Sequence, residues 1–131
     1  ETRARLNDPK AASGARIYSG AMRLAFAQRL ERPLTVSGFR LGPATGLHLP
    51  GEPMLEFQRY ALDQRPQEFL AVASYFDTGP GYICTDSAFV EGGYEPTASN
   101  VGPGSEAKLK AAIREILNAL SERRTAHSAP R

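Results

Sequence analysis

Leu34-Thr35-Val36-Ser37-Gly38-Phe39-Arg40-Leu41, followed by Gly42-Pro43-Ala44-Thr45 and then Gly46-Leu47-His48-Leu49-Pro50, decides the fold class. In the first segment apolar and polar residues alternate, which puts Leu34, Val36 and either Phe39 or Leu41 at buried positions and predicts a strand with a bulge at Gly38. Gly42-Pro43 supplies turn chemistry, so the short apolar segment 46–50 is expected to pair with the first strand as a hairpin. Pro50-Gly51 ends it.

Outward from the hairpin, the spacing predicts helices. Ile17, Ala21, Leu24, Ala25, Phe26 and Leu30 recur at three- and four-residue steps between Ala15 and Leu30, with Pro33 as the stop. After Glu52-Pro53, the residues Met54, Phe57, Ala61 and Leu62 mark a second helical face, with Pro53 suited to a first turn and Pro66 as the stop. Phe69 to Phe76 is a nearly continuous apolar run, the pattern of a strand covered on both faces, and is expected at the centre of the sheet. Ser105 is placed to cap a last helix, 106–123, whose stripe is Leu109, Ala112, Ile113, Ile116, Leu117 and Leu120. The expected order is α-β-β-α-β-loop-α, an α/β fold with a small mixed sheet flanked by helices. Residues 1–14 read as an extended lead-in, 15–124 as a single α/β domain and 125–131 as a disordered tail.

Composition limits the function classes. The chain has 131 residues, of which 41% are hydrophobic, and this suits one compact domain. Sixteen Lys and Arg against 14 Asp and Glu leave a formal charge of only +2, too thin a surplus for a nucleic-acid surface. One cysteine excludes an internal disulfide framework, and no apolar run approaches the ~20 residues that span a bilayer. A chain that opens on Glu1, with a thin sheet around an apolar strand, is expected to be processed or cut from a larger α/β domain. Its sheet edge is then a candidate surface for a homo-oligomer.

Candidate chemistry concentrates after the hairpin. Glu52 stands where the second strand gives way to a helix, a place where ligands bind in open α/β sheets and where a carboxylate also complements a helix dipole. His48 lies four residues earlier, ~13 Å away along an extended strand, so it is expected as a buried, hydrogen-bonded core residue. His127 falls in the tail. The segment 77–104 is dense in Gly and Pro yet carries Tyr82, Phe89 and Tyr94, as binding loops often do. The two phenols can coordinate a metal, donate to developing negative charge, or simply pack the loop. Cys84 reads as a small apolar packer, and with one Cys and two His a structural zinc site built from this sequence alone is not expected. No Gly-x-Ser-x-Gly elbow and no phosphate-loop lysine is present.

The ordered set Pro50-Gly51-Glu52, Gly81-Tyr82-Ile83-Cys84-Thr85, and Gly93-Tyr94-Glu95-Pro96-Thr97-Ala98-Ser99 with Gly102-Pro103 resembles the later part of the catalytic domain of neutral/alkaline non-lysosomal ceramidases and their bacterial relatives. The twelve-residue step from Tyr82 to Tyr94 also matches. The resemblance covers roughly Leu34 to Leu120. It implies a zinc-dependent amidohydrolase acting on an N-acyl lipid or another amide. Carried over by position, Glu52 and Tyr82 are the implied zinc ligands, and Tyr94 is the implied catalytic donor to the oxyanion. It further implies that two histidines from an N-terminal part of the catalytic domain complete the site. This chain would then contribute half of the metal site, partner with that N-terminal part, and be inactive alone. A non-catalytic α/β binding or assembly module on the same scaffold is the alternative expectation.

Overall fold

A computed structural model describes residues 20–21, 24–25, 27–28, 33–77 and 80–127. The chain divides into two compact units, Glu1–Pro33 and Leu34–Arg131. In the first, Gly20, Ala21, Leu24, Ala25, Ala27 and Gln28 are helical, within the helix expected over 15–30. The expected lead-in at 1–14 lies outside the described residues, as do the ends of that helix and residues 128–131 of the expected tail.

The second unit is α/β with a small mixed sheet, as the alternation of strand and helix patterns requires. Strands β1 (Ser37–Leu41) and β2 (Ala44–Pro50) form the expected antiparallel hairpin, in unbroken register from Ser37 opposite His48 to Leu41 opposite Ala44. Helix α1 (Leu55–Asp63) then returns the chain so that β4 (Phe69–Phe76) runs parallel to β2. The order across the sheet is β1-β2-β4. A separate two-residue parallel pair, β3 (Glu52–Pro53) with β5 (Tyr82–Ile83), sits beyond the end of β2. Three helices complete the unit: α2 (Asp86–Glu91), α3 (Tyr94–Ala98) and α4 (Ser105–His127).

Alternation along β2 sends Leu47 and Leu49 to one face, where they meet Leu70, Phe57 and Ala61 of α1, Ile83, and Leu109, Ile113 and Leu117 of α4. The i, i+4, i+8 spacing of those last three is the buried stripe of α4. Glu56 and Glu106 place negative charge in the first turns of α1 and α4, where the helix dipole favours it. On the other face of the sheet the Phe39 ring covers Gly46, and His48 lies between Phe39 and Phe76, with ring centroids 5.7 and 5.4 Å away.

Several expectations change. The apolar run β4 is an edge strand whose residues are mostly exposed, and β2 is the central, buried strand. Counting apolar residues misplaced the centre, because β2 owes its burial to neighbours on both sides, including an aromatic ring over its glycine. Gly38 is no bulge: it faces Leu47, and a Cβ there would meet Leu120 Cδ1 at 2.9 Å, so its role is close approach of α4. Pro53 belongs to β3 and not to a helical first turn, and Leu62 is exposed. His48 is only half-buried, with Nδ1 3.4 Å from Ser37 Oγ. Ser105 does not act as a side-chain cap; its buried Oγ has no hydrogen-bond partner among the described residues. The tail residues 125–127 continue α4. The long loop contains β5, α2 and α3.

The strand order makes a contrast that denaturant unfolding can measure. Leu47→Ala, at a fully buried central position, should cost about 3 kcal/mol, whereas Phe69→Ala, at an edge position 71% exposed, should cost less than about 1 kcal/mol. The reverse ranking would mean that β4 occupies the centre.

Candidate functional site

The site begins at a corner. Pro50 ends β2, and Gly51 turns the chain with φ 62°, a left-handed backbone that glycine adopts without penalty. Gly51 also has no room for a side chain: a Cβ would lie 2.6 Å from the Gly81 carbonyl oxygen and 2.9 Å from Pro80 Cδ. That close approach lets the Glu52 N–H donate to Gly81 O at 2.8 Å and the Met54 N–H donate to Ile83 O at 3.0 Å. Glu52 is thereby the direct partner of Tyr82 across the parallel pair. Partner residues on adjacent strands project from the same side of the pleat, so the carboxylate and the phenol are neighbours.

Hydrogen bonds from the segment 99–100 fix the strand that carries Tyr82. Ser99 Oγ donates to Tyr82 O at 2.7 Å, and Asn100 Nδ2 donates to Pro80 O at 2.8 Å. Beyond β5, Thr85 caps α2 by accepting from the Ala88 N–H at 3.3 Å. The start of α2 is then tied to the start of α4: the Asp86 N–H donates to Glu106 Oε2 at 2.6 Å, and the Gly104 N–H donates to Asp86 Oδ1 at 2.7 Å. Lys110, one turn along α4, pairs with the same Glu106. These bonds hold the Glu106 carboxyl below the usual carboxylate range, first through Lys110 and then through the Asp86 N–H.

Tyr94 opens α3, and its ring meets that of Tyr82 edge-on at a centroid distance of 5.8 Å. Tyr94 is 69% exposed and Tyr82 half-buried. Burial, and then the nearby Glu52 charge, push the Tyr82 phenol above its ordinary value. Tyr82 therefore remains protonated at neutral pH in this environment; a divalent cation shared with Glu52 would reverse that electrostatic balance. A third phenol, Tyr75 at the end of β4, is pushed above its ordinary value, chiefly by interaction with the Glu52 carboxylate. Cys84 is fully buried beside the site, and burial pushes its thiol up, which fits the expected role of an inert packer.

The three residues singled out in the sequence thus share one locality: Glu52 beside Tyr82 by strand pairing, and Tyr82 against Tyr94 by ring contact. A Glu carboxylate is a common metal donor, and Glu52 stands beside the Tyr82 phenol on paired strand positions. Among the described residues no three His, Cys, Asp or Glu side chains gather closely enough to hold a metal ion. Tyr75 and Gly51 were not legible as site residues. Tyr75 was hidden in an apolar strand run, and Gly51 was legible as a turn within the Pro50-Gly51-Glu52 motif but not as the point of close approach to Gly81. The chain matches no protein-family model, no curated protein and no solved structure.

Two measurements test the scaffold of the site. Gly51→Ala, forced into a left-handed conformation against backbone, should lower stability by about 2–3 kcal/mol. It should also speed amide exchange at Glu52 and Met54; exchange as slow as in the parent chain would show that the corner does not hold the β3–β5 pair. Because the folded-state pKa of Glu106 is depressed, its contribution to stability is present above the unfolded value near 4.5 and is lost as pH falls through the folded value. Thermal unfolding should therefore find Glu106→Gln less stable than the parent chain at pH 7, with the difference closing in acid.

Proposed function

We propose that this chain contributes half of the metal site of a ceramidase-like, zinc-dependent amidohydrolase that cleaves an N-acyl amide. What supports the reading is the pairing of Glu52 with Tyr82 across β3 and β5, with Tyr94 packed on Tyr82. The motif order that resembles ceramidases therefore coincides with a spatial cluster. In this reading Glu52 and Tyr82 hold the ion, and two histidines contributed from outside this chain complete its ligands.

Zinc, when bound, supplies Lewis acidity that polarises an amide carbonyl and lowers the pKa of water at its open position to ~7. The remaining work falls to the chain's own groups. The Glu52 carboxylate and the Tyr82 phenol oxygen would be this chain's two donors to the ion. The Tyr94 hydroxyl would donate a hydrogen bond to the carbonyl oxygen as negative charge develops there. One such donor contributes on the order of 2–4 kcal/mol to the transition state. The exposure of Tyr94 lets substrate reach that hydroxyl from solvent.

Amidase turnover of the intact protein on an N-acyl sphingoid base or a simpler N-acyl amide tests the reading. Chelation of zinc or Glu52→Ala should lower turnover by more than the about 10–100-fold typical of outer-shell losses, and Tyr94→Phe should lower kcat with KM little changed. Turnover indifferent to chelator and to Glu52→Ala would overturn it and favour a binding or assembly module.

A further inference from the structure

The sheet has a second face, turned away from α1 and α4, that neither the core nor the Glu52 corner uses. Gly38 faces Ile116 and Leu120 of α4, and Leu47, Leu49 and Leu70 belong to the core, so the alternate positions point outward. Strand register sets them in three rows across β1, β2 and β4: Leu41, Ala44 and Phe69; then Phe39, Gly46 and Ala71; then Ser37, His48 and Ala73. The Phe76 ring joins the last row by stacking on His48. None of these row positions holds Asp, Glu, Lys or Arg. Arg40, the charged residue of β1, lies on the opposite side of its strand and pairs with Glu68.

Leaving such a face in water is unfavourable. Leu41 is 75% exposed, Phe39 51% and Phe69 71%, and Phe76 is exposed as well. At about 150–250 Å² for a full aromatic side chain and somewhat less for leucine, these four leave roughly 400–500 Å² in contact with solvent before the alanines are added. That is the upper range of what a monomer exposes in one patch, and it approaches the roughly 600 Å² per partner at which specific interfaces begin. Parallel strands such as β2 and β4 are also normally covered on both faces.

The chemistry of the face selects its occupant. Leu41 and Phe39 project from β1 and Phe69 from β4, while Ala44, Ala71 and Ala73 leave a hollow beside them, so the surface holds both the projections and the recess that a two-fold contact requires. The rows are uncharged and the whole chain carries only +2, so two copies approach with little mutual repulsion. Sheets stack through such faces at a spacing of ~10 Å. Strand pairing at the β4 edge would leave Leu41 and Phe39, on the far strand, in water. We propose that the chain forms a two-fold dimer by stacking these outward faces, with Leu41 and Phe69 of each copy entering the alanine hollow of the other. The modest area makes the dimer concentration-dependent and not permanent. The inference is independent of the zinc reading.

Sedimentation equilibrium of the full chain, from micromolar to millimolar concentration, tests it. The average mass should rise from that of one chain toward that of two. Leu41→Lys and Phe69→Lys, made separately, should each weaken association more than about tenfold while leaving the melting temperature of the dilute chain unchanged. Val90→Lys, at an exposed apolar position on α2, should leave association as it was. In a mixture of labelled and unlabelled chains, isotope-filtered NMR should show the Phe69 ring of one copy against the Ala44 or Ala71 methyl of the other. A single-chain mass at every concentration, association that survives both lysine variants, or contacts between the backbone amides of two β4 strands, the mark of edge pairing, would each overturn the proposal. A single-chain mass together with cosedimentation on phosphatidylcholine vesicles would overturn it in favour of a lipid surface.

Discussion

Gly51 is where three parts of the chain are forced together, and the geometry of the candidate site depends on that crowding. Its N–H and C=O are both hydrogen-bonded to the end of β4, while its missing side chain leaves space for the Gly81 carbonyl and Pro80. The next residue can then donate its N–H to Gly81, which sets Glu52 opposite Tyr82. Any Cβ at Gly51 would push apart two segments about thirty residues distant in sequence. The β3–β5 pair is only two residues long, and so short a pair has little stability of its own. It persists because the corner, the Ser99 and Asn100 clamps, and the Asp86–Glu106 link hold its flanks.

The division of labour follows from burial. Leu47, Leu49, Leu70, Phe57 and the α4 stripe supply the apolar core that keeps the sheet and helices in place. The polar residues of interest lie at the carboxyl ends of β2 and β4, just outside that core. Open α/β sheets place ligand sites there because strand ends point several loops at one crevice. Glu52, Tyr82 and Tyr94 come from β3, β5 and the start of α3, and meet through strand pairing and a ring contact.

Much of the fold was legible in the sequence because it rests on periodic patterns. The Leu34–Pro50 alternation with Gly42-Pro43 between its halves identified the hairpin, and the i, i+4 spacing of Leu109, Ile113 and Leu117 identified the last helix. Strand order was not legible, since Phe69–Phe76 is more apolar than β2 yet lies at the edge. Side-chain character reports what a residue tolerates, and burial depends on which neighbours arrive. The same distinction governs the site. Glu52, Tyr82 and Tyr94 stood out as reactive types beside glycine and proline turns. Tyr75 did not, because a one-residue bulge against Leu49 leaves no periodic mark in a run such as Leu70-Ala71-Val72-Ala73-Ser74. Ser99 and Asn100 act through backbone carbonyls, which carry no residue-specific signal at the positions they clamp.

The central claim is that Glu52 and Tyr82 present their oxygens to one cation. NMR of the chain with labelled glutamate and tyrosine side chains, followed through a zinc titration, addresses it directly. The account predicts that the Glu52 carboxyl and Tyr82 phenol carbons shift together, with one shared dissociation constant, and that Glu52→Gln abolishes the shift at Tyr82. Independent titration of the two groups, or shifts confined to other carboxylates, would contradict it.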